Sequence, residues 1–285
     1  PYAVADGRGW AFSVGSDWYI SDHLINELRA GYKFQRLNFV RPARLHGPML
    51  LANSWTDPLN PAFSASRRPP VFQITDNLTI VRKRHTIKGG FEGRFTNEWR
   101  SMDDGIWPNV TFSPADAKVP SDIGPPGVSI SEQDRLLFEK LYNDLLGRMG
   151  QVIQTFYCDL KNFQPTGTPR IRTYRYRDLS AFFQDDWKIH SRLVLNLGVR
   201  YEFLGVPFEV NGMQGIVDKA AFISSTRQIE KLTTLQGSPW YSNDLNNFAP
   251  RVGLAWDPVG DGRTAMRAGW GIYYDRLIGA TTNLV

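Results

Sequence analysis

Between Tyr174 and Phe208 the chain alternates apolar and polar residues almost without error. Leu193, Leu195, Leu197, Val199, Tyr201 and Phe203 share one parity, and Val194, Asn196, Gly198, Arg200 and Glu202 share the other. Successive side chains of a strand point to opposite faces, so the run predicts a long strand with one apolar and one largely polar side. Just upstream, Leu179, Ala181, Phe183 and Trp187 oppose Ser180, Gln184, Asp186 and Lys188 in the same way. Only His190, Ser191 and Arg192 intervene clearly, which predicts an antiparallel hairpin of strands over 174–189 and 193–208.

The same alternation predicts strands near 10–19, 24–39, 71–81, 85–100, 247–257 and 264–275. Trp10, Phe12, Val14 and Trp18 share a face in the first of these, while in the second Leu24, Leu28, Ala30, Tyr32 and Phe34 oppose Glu27, Arg29, Lys33 and Gln35. Near 85–100, Ile87, Phe91, Phe95 and Trp99 oppose Lys88, Glu92, Arg94 and Glu98. Asp76 stands among apolar neighbours, and the pattern gives no reason for it. Turns near Ile20, Arg82, His190 and Pro258 are short, whereas the loops over 40–70, 101–173 and 209–246 are long. Within 101–173, residues 131–149 read as a helix: Ser131 opens an S-x-x-D cap, Leu137, Leu141 and Leu145 recur every fourth residue, and Gly147 and Gly150 follow.

Soluble strands usually run to about five or six residues, whereas a tilted strand needs about 9–11 to cross a bilayer. Long dyad-patterned strands with short turns on one side and long loops on the other are the mark of an outer-membrane barrel. The fold class expected is therefore all-β: an antiparallel up-and-down transmembrane β-barrel segment of about eight long strands, one loop carrying a short helix. The long loops are then extracellular and the short turns periplasmic. Trp18, Trp187 and Trp256 each precede a short turn by a few residues on the apolar parity, as an interfacial aromatic girdle requires.

Composition changes this picture little. No run of about 18 apolar residues is present, so no membrane helix is expected, but a barrel wall escapes that criterion because half of each strand faces a polar interior. The formal charge of +5 raises nucleic acid as a partner. The arginines are spread along strands at inward parity, which fits a polar lumen better than a phosphate-binding face. Candidate lumen-facing, substrate-path residues are Glu27, Arg29, Lys33, Glu92, Arg94, Arg200, Glu202, Arg251 and Arg267. The alternative for each is a structural contact or a cross-strand ion pair.

Searches for bond chemistry return nothing that argues for an enzyme. Cys158 is the single cysteine and makes no internal disulfide. Asp257-Pro-Val-Gly-Asp261-Gly262 has Val259 at a calcium-ligand position and Ala268 where the bidentate glutamate belongs, so it reads as a hairpin turn. Asp185 and Asp186, adjacent on a strand, point to opposite faces and do not form a catalytic pair. His23, His46, His85 and His190 include no pair at metal-ligand spacing, and no cofactor fingerprint is present.

The segments LINELRAGY, ITDNLTIVRKRHTIKGGFEGRF, AFFQDDWKI, LVLNLGVRYEF and NNFAPRVGLAWDPVGDGRTAMRAGWGIYYDR resemble the barrel of TonB-dependent outer-membrane receptors, in particular the Oar-like subgroup. The resemblance covers most hairpins from Leu24 to Arg276 and is weakest in the long loops. It implies a 22-stranded barrel, filled by a plug domain and driven by an inner-membrane energy-coupling complex. It also implies that this chain is an internal portion of a longer polypeptide, with outer-membrane lipid, the plug and the remaining strands as partners. Two rival readings stay open at this point: an autonomous eight-stranded structural or adhesive barrel, and a soluble carbohydrate-binding β-protein.

Overall fold

The computed structural model describes residues 4–40, 47–52, 64–114, 119–120, 127–129, 131–159, 161–217, 234–260 and 262–275. Parts of the predicted loops over 40–70, 101–173 and 209–246, Asp261 of the last turn and both chain ends lie outside them. The elements in chain order are β1 (Val4–Ser21), β2 (Leu24–Val40), β3 (Met49–Leu51), β4 (Ala65–Arg68), β5 (Val71–Arg82), β6 (His85–Met102) and β7 (Asn109–Phe112). They continue with α1 (Glu132–Leu145), β8 (Met149–Ile153), β9 (Arg170–His190), β10 (Leu193–Leu204), β11 (Phe208–Glu209), β12 (Gly215–Val217), β13 (Thr234–Gln236), β14 (Phe248–Trp256) and β15 (Met266–Gly271).

Contacts divide the chain into two compact units. The first is built from Gly9–Gln35, Arg68–Trp99 and the chain from Arg172 onward. Its long strands follow one another in space in the order β1, β2, β5, β6, β9, β10, β14, β15, each hydrogen-bonded to the next. Among the described residues β1 and β15 are the two ends of this order. Such a meander needs only short turns between consecutive partners, and the sequence supplies them. Among the described residues eight strands follow in the expected order, but the last, expected over 264–275, is shorter and spans only Met266–Gly271.

Parity is kept from strand to strand. Leu24 pairs with Ile80, which pairs with Ile87, and Tyr32 pairs with Phe72, which pairs with Phe95. Leu195 lies between Trp187 and Leu254, and Leu193 lies opposite Trp256. One face of the sheet is thus a continuous apolar surface, and it is bare: Phe12 and Trp18 are each 64% exposed and Trp270 63%. In this unit the buried hydrophobic residues among those described are Tyr174, Tyr176 and Ala249. A water-soluble protein rarely leaves so large an apolar patch uncovered.

The turn from β5 to β6, like those from β1 to β2 and β9 to β10, leaves two residues between the strands. Arg82 is paired with His85, leaving Lys83 and Arg84 as its two central residues. Lys83 has φ +55°, a left-handed conformation that glycine adopts freely and that costs a lysine roughly 1–2 kcal/mol.

The predicted strand over 193–208 is shorter than expected and stops at Leu204. Gly205 N donates to Arg177 O at 2.9 Å, and a Cβ on Gly205 would lie 2.5 Å from that carbonyl oxygen. The chain leaves the ladder there, then returns as β11 to pair Phe208 with Arg175 of β9.

The second unit comprises the residues before Gly9 with Arg36–Arg67 and Arg100–Ile171. Here the loops expected to lack strands carry β3, β4, β7 and β8. β3 pairs in parallel with β7, Met49 opposite Asn109, and β7 pairs antiparallel with β8. Met49, Ile106, Val110 and Val119 are the buried hydrophobic residues among those described in this unit. The helix predicted over 131–149 ends at Leu145. Gly147 at φ +65° closes it in the left-handed manner common at helix C-termini, and β8 begins at Met149. Ser131 caps the other end, accepting from Asp134 N at 3.1 Å. Ser113 Oγ donates to Lys140 O at 2.8 Å, which fastens the helix to its own loop.

Candidate functional site

The polar face of the wall gathers the chemistry. Arg200 of β10 lies opposite Phe182 of β9 and Ala249 of β14. Its Nε donates to Glu202 Oε1 at 2.6 Å, and its Nη2 donates to Ser180 Oγ at 2.6 Å and to Glu92 Oε2 at 3.2 Å. Glu92 also accepts from Gln73 Nε2 at 3.0 Å. A guanidinium spans both carboxylates because its planar fork offers several donors at once. Three of the nine residues expected from sequence, Glu92, Arg200 and Glu202, are thereby brought together.

A second cluster holds two more. Arg29 Nη2 lies 2.5 Å from Asp17 Oδ1 and 3.9 Å from Glu27 Oε1, and Arg29 Nη1 donates to Ser16 O at 3.1 Å. A third was not anticipated. Asp186 accepts from Asn196 Nδ2 at 2.6 Å and Gln184 Nε2 at 3.0 Å, with Lys88 Nζ at 3.5 Å. Its neighbour Asp185 points the other way and meets His85 Nδ1 at 2.6 Å, which upholds the expectation that the two aspartates do not act together. Asp17, Ser180, Gln73 and Asp186 were missed as site residues because they belong to the site only through cross-strand register, which no single strand displays.

The remaining expected residues stay apart from the acids. Lys33, Arg94 and Arg267 are exposed and make no ion pair among the described residues. Arg251 lays its guanidinium 4.7 Å from the centre of the Tyr273 ring. Around Arg251 the polar face is hollowed out: Gly198 and Gly271 flank it in register, and Gly253 pairs with Gly269 one step along. The missing side chains leave a cavity of about 410 Å³ bordered by Gln184, Asn196, Arg251 and Tyr273. Glycine in a strand admits close approach of another group to the backbone. Among the described residues no three metal-ligating side chains come together.

At the short-turn end, Trp187 and Trp256 flank β10 on the apolar face, and Trp187 stacks on His85 with ring centres 5.5 Å apart. Beyond the strands, Asp257 closes the β14–β15 turn, accepting from Gly260 N at 2.6 Å and Gly262 N at 3.0 Å. The Gly260 N–H above all, with the Gly262 and Val259 N–H groups and the Arg192 charge, holds its carboxyl below the ordinary aspartate value.

A wall with a bare apolar face and a polar face of paired and solvated charges is built to stand between lipid and water. No helix among the described residues is long and apolar enough to cross a membrane. Comparison with curated proteins gives no match. A family model described as an outer membrane beta barrel domain matches residues 3–284. The chain therefore belongs to the outer membrane beta barrel domain family, and its place is the bacterial outer membrane.

Proposed function

We propose that this chain is part of a TonB-dependent outer-membrane receptor, supplying about eight wall strands to a barrel that binds a substrate and passes it across the membrane. Its work is binding and passage rather than bond chemistry. The segments LNLGVRYEF and NNFAPRVG, which resemble such receptors most specifically, lie on β10 and at the start of β14. The observation that carries the reading is the surplus of cations on the polar face. Glu92 and Glu202 are engaged by Arg200, while Lys33, Arg94 and Arg267 are exposed and form no ion pair among the described residues. Unpaired charge is stable only where water or a moving partner reaches it. A narrow, side-chain-filled interior offers neither, whereas a wide lumen offers both.

In this reading the polar face lines the lumen, the plug and the energy-coupling complex reside in other parts of the protein, and the long loops make first contact with substrate. The test uses the full-length protein with Cys158 and every other cysteine replaced by serine, so that an Arg94→Cys substitution supplies the one reactive thiol. A membrane-impermeant thiol reagent is expected to label Arg94→Cys in energised cells and to label it more slowly once the proton-motive force is collapsed. Labelling that ignores the energy state would sink the receptor reading and leave a passive barrel.

A further inference from the structure

The β5–β6 turn carries three cations that form no ion pair among the described residues. Arg82, Lys83 and Arg84 are consecutive and exposed. The β9–β10 turn lies beside them: Lys188 N donates to Arg84 O at 2.7 Å, and Arg84 Nη1 donates to Ile189 O at 3.1 Å. Lys188 is exposed and likewise without an ion-pair partner. Three nearby carboxylates are otherwise occupied. Asp185 is on His85, Asp186 on Lys88 and Asn196, and Asp257 on the Gly260 and Gly262 amides.

This basic patch stands at the water end of an apolar wall. Arg82 shares the parity of Phe72, Ile74 and Ile80, so it projects on the apolar side of the sheet. Below it on the same face, His85 stacks on Trp187 with an interplanar angle of 16°. An indole at the membrane interface marks headgroup depth, and cations just beyond it stand where lipid phosphates lie. Lys83 adds an independent sign. It holds a left-handed position that glycine would fill without strain, so a lysine there is retained against the preference of its own backbone.

We infer that the β5–β6 turn is a binding site for the phosphate of an anionic phospholipid in the leaflet next to the short turns. Arg82 and Lys83 supply the charge, Arg84 is braced against β9 by its bond to Ile189, and the His85–Trp187 stack meets the glycerol and upper acyl region. The patch is local: the β1–β2 turn, Ser21-Asp22-His23, carries an acid and no lysine or arginine. The inference rests on membership of the outer-membrane family and is independent of the receptor proposal.

The full-length protein is to be placed in nanodiscs of phosphatidylcholine containing a minor fraction of phosphatidylglycerol, and the lipid retained on release examined by native mass spectrometry. Phosphatidylglycerol is expected to be enriched on the wild type, and enrichment to fall roughly fivefold for each cation removed in Arg82→Gln, Lys83→Gln and Arg84→Gln. Lys83→Gly separates binding from folding: it relieves the left-handed backbone, so denaturant stability is expected to hold or rise while lipid retention falls. A brominated phosphatidylglycerol is expected to quench the fluorescence lost in Trp187→Phe more than brominated phosphatidylcholine does. Equal retention of the two lipids, unchanged retention in the triple variant, or displacement of the lipid by millimolar inorganic phosphate would each overturn the assignment, the last by showing a free-anion site.

Discussion

Asn26 Nδ2 donates to Asp76 Oδ1 across 2.6 Å on the apolar face of the wall. The pair runs diagonally between β2 and β5, where Asn26 opposes Leu78 and Leu28 opposes Asp76. Two polar side chains thus satisfy each other in a band of leucine and isoleucine. Asn26→Leu alone leaves Asp76 without its donor and is expected to cost about 1–3 kcal/mol. Replacing both by leucine removes the unmet group with its partner, so stability should return to wild type or above. A double-mutant cycle by denaturant titration in lipid checks this; additive single costs would mean that the pair is not coupled.

Leu197 and Asn196 test the two faces with one substitution. Leu197 lies on the apolar side between Asp185 and Val252, and Leu197→Arg is expected to cost about 2–4 kcal/mol in a bilayer-folded barrel. Asn196→Arg lies beside the Asp186 carboxylate, which can accept from the new guanidinium, and should cost much less. Equal costs in the full-length barrel would refute the assignment of faces.

Arg200 holds two carboxylates apart. Arg200→Met leaves Glu92 and Glu202 on one face without their shared cation, and both are less than a third exposed. A loss of about 1–3 kcal/mol is expected, set by stranded charge rather than lost packing. Adding Glu202→Gln to Arg200→Met should recover part of that loss. Failure of the second substitution to help would point to packing instead.

The β14–β15 turn should respond to acid. Asp257 titrates below its ordinary value of 3.8 because folded-state amides favour its charged form. A depressed carboxyl contributes its stability above the unfolded value and loses it as pH falls through the folded one. Protection of the Gly260 and Gly262 amides, read as exchange relative to the intrinsic rate at each pH, should therefore hold above the ordinary value of 3.8 and fall as pH drops below it. In Asp257→Asn this dependence should vanish.

Orientation has a direct readout. Protease added to intact cells expressing the full-length protein is expected to cut within 101–173 or 209–246. The turns at 82–84 and 258–263 should be protected until the outer membrane is breached. Cleavage in the reverse order would place the short turns outside.

What could be read from the sequence follows from physical range. A period of two is a local property, so the eight long strands and both faces appeared in the pattern of Leu193–Phe203 and its relatives. Strand ends were less legible: the alternation runs on past Leu204, whereas the register with β9 ends where Leu204 opposes Asp178. The partner of Asp76 was invisible because Asn26 is 50 residues away and meets it only through register. Arg200, Glu92 and Glu202 were recognisable as inward charges one by one, but their junction required β6, β9 and β10 to be aligned. The β3–β7 pairing left no sequence signal, since strands of three and four residues are too short to show a period.

That pairing has an immunological consequence. Residues 49–51 follow β2 and residues 109–111 follow β6, yet they share one parallel ladder. An antibody that reads the exposed Leu51 and Thr111 of this ladder would meet a discontinuous epitope assembled from both stretches, and a linear peptide copied from either one would fail to compete for it.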